Sequence, residues 1–419
     1  MISDSTATSA YVWVWLPDAT DPVPCGIVER SGPERYRFAY GRRYRERGDA
    51  ISLFPDELPL TAGALETATG DLPGCLRDAA PDAWGRRVIV QRRARSDSLA
   101  VGELDELTFL LASGSNRVGA LDFQASASEY VPRESPGADL ETLHAAAGRV
   151  ERGDPLPPEL EEALRHGTSI GGARPKALLV DADRQWVAKF STGVDLYNVV
   201  KAEFIAMRLA ARVGLTVAPV RLVRSLGRDV LLVERFDRLR GDGGWRRRLM
   251  VSALTLLGLR EMEARYAGYP DLAHRIRRDF AAPRETLHEL FGRLVFNVLC
   301  GNTDDHARNH AAFWDGHRFE LTPAYDLCPQ LRTGGEATQA MAITERERTS
   351  QLVTCLEAAP LFQLDETAAR AVIDRQLALI HDDWERVCDE AALPPAERDT
   401  LWGRAFLNPF ALRGYDARS

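Results

Sequence analysis

The spacing of apolar and polar residues changes period several times along the chain. Near the start, Tyr11, Trp13 and Trp15 interleave with Val12, Val14 and Leu16, so a strand here is apolar on both faces and belongs inside a sheet. Tyr36, Phe38 and Tyr40 alternate with Arg35, Arg37 and Ala39, the pattern of a half-buried strand. Helical spacing is predicted near 81–94 and 102–112, and the polar run Ser113-Gly114-Ser115-Asn116 stops it. Residues 1–125 read as an α+β unit. Residues 126–165, punctuated by Pro132, Pro136, Pro155, Pro157 and Pro158 and carrying a predicted helix at 139–151, read as a connector.

The pattern restarts at 168. A small-residue loop, Ser169 to Lys176, precedes strands at Ala177–Val180 and Trp186–Phe190 joined by Asp181-Ala182-Asp183. Val199, Val200, Phe204, Met207 and Ala211 then fall at helical spacing over 198–213, with Gly214 as the stop. Strands are expected at Val217–Val223 and Asp229–Glu234. Loop, strand, strand, helix, strand, strand is the order of a protein-kinase small lobe, here residues 166–240. Residues 241–419 are mostly helical. Leu287, Leu290, Phe291, Leu294, Val295, Val298 and Leu299 form one apolar stripe that ends at Gly301. Phe313-Trp314 and His317-Arg318-Phe319 flank Asp315-Gly316, which predicts a hairpin with a type I′ turn.

Composition narrows the function classes. With 45% hydrophobic and 27% charged residues the 419-residue chain is ordinary globular protein, and its net charge of −8 argues against binding nucleic acid by bulk attraction. The six cysteines include no CxxC pair, so neither a zinc ribbon nor a redox motif is indicated, and scattered thiols suit a reducing cytosol. No apolar run approaches the ~20 residues of a membrane span, and the first residues have no signal-peptide pattern. The expectation is a soluble cytoplasmic protein that does not engage a membrane.

The chemistry concentrates in Gly301-Asn302-Thr303-Asp304-Asp305-His306-Ala307-Arg308-Asn309 and Leu321-Thr322-Pro323-Ala324-Tyr325-Asp326. An Asp, an Asn five residues on, a hairpin and a second Asp is the order in which protein kinases place a base and two magnesium ligands. Asp304 is the expected base on spacing, with Asp305 its rival. Asn309 and Asp326 are the expected metal ligands. His306 and His310, four apart, lack an evident third partner for zinc.

Upstream, Lys189 interrupts an apolar strand, where an ammonium is costly unless paired, and phosphate plus Glu203 would pair it. Lys176 is the second candidate for the phosphates. Gly171 and Gly172 could let backbone N–H groups approach phosphates, although the loop is not a Walker A motif. Glu234, Phe236 and Asp237 lie where a kinase linker meets adenine, and Asp237 could accept from a ribose hydroxyl. Taken singly, each has a plainer reading: a solvent-facing lysine, an ordinary glycine loop, a surface salt-bridge cluster, a solvated acidic turn.

Taken together, the motifs resemble the HipA family of bacterial serine/threonine kinases, toxins of toxin–antitoxin pairs. The resemblance rests on Ser169-Ile170-Gly171-Gly172-Ala173-Arg174-Pro175-Lys176, Glu234-Arg235-Phe236-Asp237-Arg238, Asn302 to Asn309 and Tyr325-Asp326. It extends to Leu72-Pro73-Gly74-Cys75-Leu76, Pro81-Asp82-Ala83-Trp84-Gly85-Arg86 and Asn116-Arg117-Val118-Gly119-Ala120 in the N-terminal unit. It implies an α+β, protein-kinase-like bilobal fold with an additional N-terminal α+β subdomain. It further implies use of ATP and Mg²⁺, and autophosphorylation of the loop serine, Ser169, with Thr168 its neighbour. The implied partners are a protein substrate, an aminoacyl-tRNA synthetase in some members, and a HipB-like helix-turn-helix antitoxin through which DNA would be met only indirectly. The rival readings are a small-molecule kinase and a silent co-repressor docked on a DNA-bound antitoxin.

Overall fold

The structure is a computed structural model that describes residues 7–96, 104–133, 138–157, 159–160, 164, 174–181, 183–193, 195–332 and 334–417. Ser169, Gly171, Gly172 and Thr168 lie outside the described residues. The chain divides into two compact units: residues 1–192, 224–251 and 313–317 form one, and residues 193–223, 252–312 and 318–419 the other. This division crosses the expected 166–240 segment. The strands before 192 and after 224 group with the N-terminal region, and the helix between them groups with the helical region.

The first unit is built on two sheets. In the first, Ser9–Val14 lies between Val23–Gly32 and Leu121–Gln124, with Arg35–Tyr40 and Ala64–Leu65 beyond Val23–Gly32. The central place of Ser9–Val14 explains its double-sided apolar pattern. In the second, Lys176–Val180, Gln185–Phe190 and Arg228–Glu234 lie side by side and antiparallel. The expected helices appear at Ala83–Ser96, Glu106–Ala112 and Leu140–Arg152. The last two begin with Asp side chains, Asp105 and Asp139, that accept from backbone N–H groups three residues on.

The second unit is helical. Val199–Arg212 is capped by Asn198, and Gly214 follows it with φ +92°. The predicted apolar stripe forms the 18-residue helix Pro283–Cys300, with Leu287, Leu290, Phe291, Leu294, Val295 and Val298 fully buried. Each such side chain contributes roughly 1.5–3 kcal/mol by leaving water. Gly301 ends this helix in the left-handed region, φ +71°. A Cβ there would also sit 2.6 Å from the Ala405 carbonyl oxygen, so the stop requires glycine on two counts. The long helix Glu366–Glu390 completes the bundle.

The hairpin after the Asp304 loop forms, at Ala311–Trp314 and Phe319–Leu321, but without a type I′ turn. That turn needs positive φ at both central residues, and of Asp315 and Gly316 only Gly316 has it. Asp315 instead accepts from the His317 backbone N–H at 2.7 Å.

Candidate active site

Of the two adjacent acids, Asp304 is exposed, whereas Asp305 is buried, 1% accessible. The Asp305 carboxylate is committed on both oxygens. It accepts from the Tyr269 hydroxyl and is bonded to His310 Nε2 at 2.9 Å. Burial, and then the Asp305 carboxylate beside it, push the Tyr269 hydroxyl pKa well up, so it stays a donor. Asp305 therefore braces the loop, and Asp304 is the acid left exposed. His310 Nε2 is thus committed to Asp305. Among the described residues no cluster of three or more His, Cys, Asp or Glu side chains could hold a metal.

The loop is fixed at both ends. The Asn302 amide donates to Asn297 Oδ1 at 2.9 Å, and the Asn309 amide donates to the Asp304 carbonyl at 3.2 Å. The second acidic segment is laced to this loop. The Tyr325 hydroxyl donates to the Arg308 carbonyl at 2.7 Å, Thr322 N–H to Ala311 O at 3.0 Å and Gln330 N–H to Gly301 O at 3.0 Å. The Tyr325 bond joins the chain neighbours of Asn309 and Asp326. Asp326 itself sits at φ +59°, a left-handed conformation that costs a non-glycine residue energy and that Asp tolerates better than most. Ala324 is held by a parallel bridge to Val217, which fixes this backbone.

In the first unit the phosphate candidates fall on one face. Lys176 and Lys189 are direct partners in the antiparallel pair, so their side chains project from the same side of the sheet. Two like charges in that register need a counter-charge. Asp82 supplies one, 3.0 Å from Lys176 Nζ, and the Trp84 indole donates to the Lys176 carbonyl at 3.0 Å. Burial raises the Asp82 carboxyl pKa, and Lys176 opposes that rise. Lys176 is buried and ion-paired to Asp82, and Lys189 is half-buried. Its expected carboxylate, Glu203, is buried on Val199–Arg212 in the other unit.

The linker side chains have partners of their own. Glu234 pairs with Arg184 at 2.5 Å, and Phe236 packs edge-on to Phe313 at 5.9 Å. Asp237 is buried and engages four donors: Arg235 through Nε and Nη2 at 2.9 and 2.7 Å, Arg238 Nη1 at 2.9 Å and the Gly119 N–H at 2.8 Å. Burial would raise its pKa, but Arg235 and Arg238 outweigh that and hold it below the usual carboxylate range. A carboxylate so occupied is a structural tie and does not fit the ribose acceptor expected from the sequence. Asp82 and the Asn116–Gly119 loop were not assigned site roles from the sequence, because their partners lie 94 and about 118 residues away. The only signal was that both fall within motifs of the N-terminal unit.

Comparison with known proteins agrees with this anatomy. The model of the HipA-like C-terminal domain matches residues 168–384, and that of the HipA N-terminal domain matches residues 14–124. The chain is 31% identical to "Putative kinase Y4mE" of Sinorhizobium fredii over 57% of this chain and 60% of that protein. It is 28% identical to the serine/threonine-protein kinase toxin HipA of Shewanella oneidensis over 59% of this chain and 62% of that protein. These matches thus span about three fifths of each curated relative. A solved structure of the Shewanella oneidensis MR-1 HipA, HipB and operator DNA complex includes a chain that superposes with a TM-score of 0.69, covering 96% of this chain and 99% of that one at 20% identity. With a family model matching more than half its length, and the same overall fold, the chain belongs to the HipA family.

Proposed function

We propose that this protein is an ATP-dependent serine/threonine kinase of the HipA type, the toxin of a toxin–antitoxin pair, acting on a cytoplasmic protein. The observation that carries the reading is the division of labour between Asp304 and Asp305. One is exposed on a braced loop, and the other is consumed in bracing it. Asp304 accepts the proton as the substrate hydroxyl oxygen bonds to the γ-phosphorus and the bond to the β-phosphate bridging oxygen breaks. Lys189, with Lys176 behind it, offers positive charge to the phosphates. The residues fit magnesium: Asn309 and Asp326 provide hard oxygen donors on two segments tied by Tyr325, and this ion takes one or two protein oxygens alongside phosphates. When bound, magnesium neutralises phosphate charge.

Ser169 is the proposed autophosphorylation site, and the phosphate would compete with ATP for the N–H groups near Gly171 and Gly172. The proposed partner is a helix-turn-helix antitoxin, in keeping with the HipA and HipB named together in the related structure. Labelled ATP with purified protein and a cell lysate tests the reading. Label should appear on the protein itself, at Ser169 by peptide mass spectrometry, and on a protein of the lysate. Label confined to small molecules, or absent while ATP binds, would overturn it.

A further inference from the structure

The first unit contains a buried lattice of charges that the catalytic reading does not use. Asp122, fully buried, accepts from Arg117 at 2.8 Å, Arg133 at 2.9 Å, the Tyr130 hydroxyl at 3.0 Å and the Gln124 amide at 2.8 Å. Arg117, also fully buried, donates to the carbonyls of Ala79 and Leu110 as well. This fixes the backbone of the Asn116–Gly119 loop. That backbone then reads the linker. The Arg117 carbonyl accepts from Arg235 Nη2 at 2.6 Å and from Arg238 Nη2. The Asn116 side-chain oxygen accepts from Arg235 at 2.7 Å and Arg238 at 3.2 Å, and Gly119 exchanges bonds with both Asp237 and Arg238.

Every linker side chain with a charge between 235 and 238 is thus spent on one loop of the N-terminal region. Arginine and carboxylate pairs buried this deeply are costly to assemble and add little net stability over apolar packing. What they do supply is a defined position, because bidentate guanidinium bonds fix angle as well as distance.

We infer that the Asn116–Gly119 loop is a positioning element for the nucleotide: it sets the place of the Glu234–Arg238 linker backbone, and so the affinity for ATP, without touching ATP itself. The inference rests on the kinase reading for the identity of the ligand. It makes the N-terminal region part of the nucleotide site's construction. Asn116 is the residue to test, since its oxygen meets two arginines that both pair with Asp237. Asn116→Asp keeps that oxygen beside the two guanidinium groups and gives up the amide bond to Gln185 Oε1 at 3.0 Å, whereas Asn116→Leu loses both, leaving Arg235 and Arg238 with the Arg117 carbonyl and Asp237 but without this acceptor.

Equilibrium titration of the full-length protein with Mg·ATP, beside thermal melting and phosphotransfer at saturating ATP, decides the matter. Asn116→Leu should bind ATP about tenfold more weakly, the effect of losing roughly one charged hydrogen bond, with kcat within about twofold of wild type. Asn116→Asp should restore wild-type affinity. Arg235→Lys, which keeps the charge but loses the second donor arm, should also weaken binding and serves if the leucine variant does not fold. A lower melting temperature with unchanged ATP affinity in these variants would mean a merely structural lattice and overturns the inference, as would an aspartate variant as impaired as the leucine one. Wild type that binds ATP but transfers no phosphate would sink the kinase reading alone, leaving affinity to judge this one. Wild type that binds no ATP sinks both.

Discussion

The linker of the first unit and the loop Gly301–Asn309 of the second each carry two acidic residues beside arginine and are motif-like in sequence, yet they handle charge in opposite ways. In the linker, Asp237 has four donors and no exposure to speak of. In the loop, one acid is saturated so that its neighbour can be left open. A carboxylate with all its lone pairs filled can hold a shape but cannot take a proton in a reaction. A carboxylate left in water keeps its chemistry but holds nothing. The second region keeps one carboxylate of each kind side by side, and the first is given wholly to holding.

The comparison breaks most severely at Asp304. Asp304→Asn preserves shape and removes the proton acceptor, so phosphotransfer should fall about 10²–10⁴-fold with ATP affinity and melting temperature nearly unchanged. Single-turnover transfer and calorimetry check this, and an active variant would return attention to Asp305. Next is Asp122→Ala, which strands Arg117 and Arg133 and should cost roughly 3–5 kcal/mol of stability by denaturant unfolding, without a catalytic residue having been touched. Asp305→Asn keeps one acceptor for Tyr269 or His310 and should cost about 1–3 kcal/mol, with a kcat loss smaller than that of Asp304→Asn. Should Asp305→Asn prove the more damaging to kcat at unchanged stability, the two roles are reversed.

The mildest test is titration. Arg117 and Arg133 at Asp122, and Arg235 and Arg238 at Asp237, outweigh burial and depress both carboxyl pKa values. A depressed folded-state value stabilises the fold above the unfolded carboxyl pKa of about 4, and that contribution is lost as pH falls from there toward the folded values. Melting temperatures between pH 6 and 3 should therefore drop more steeply for wild type than for Asp122→Asn.

Much of this was legible in the sequence where the controlling contacts are local. The stripe ending at Gly301, the Asn198-to-Gly214 helix and the order of strands around Lys189 each depend on residues within a few turns of one another. What spacing could not convey was the partner of a charge. Nothing in the spacing shows that Lys176 lies 3.0 Å from Asp82, or that Asp237 is surrounded by Gly119 and two arginines. Charged side chains are indifferent to sequence distance. The hairpin turn failed for a different reason: Asp-Gly is compatible with more than one turn, and the Asp315 side chain chose the His317 N–H.

Asp326, held at φ +59°, gives the chain a conflict between endurance and purpose. Glycine occupies that backbone conformation at no steric cost, so Asp326→Gly should relieve about 1 kcal/mol of strain, less what glycine's freer unfolded chain takes back. A library selected only for heat resistance would therefore drift toward small, permissive residues at this position, and would collect sturdier proteins that have discarded the oxygen proposed above as a magnesium ligand. Melting and phosphotransfer measured together on Asp326→Gly and Asp326→Asn would show whether survival under heat and transfer of phosphate pull this one residue in opposite directions.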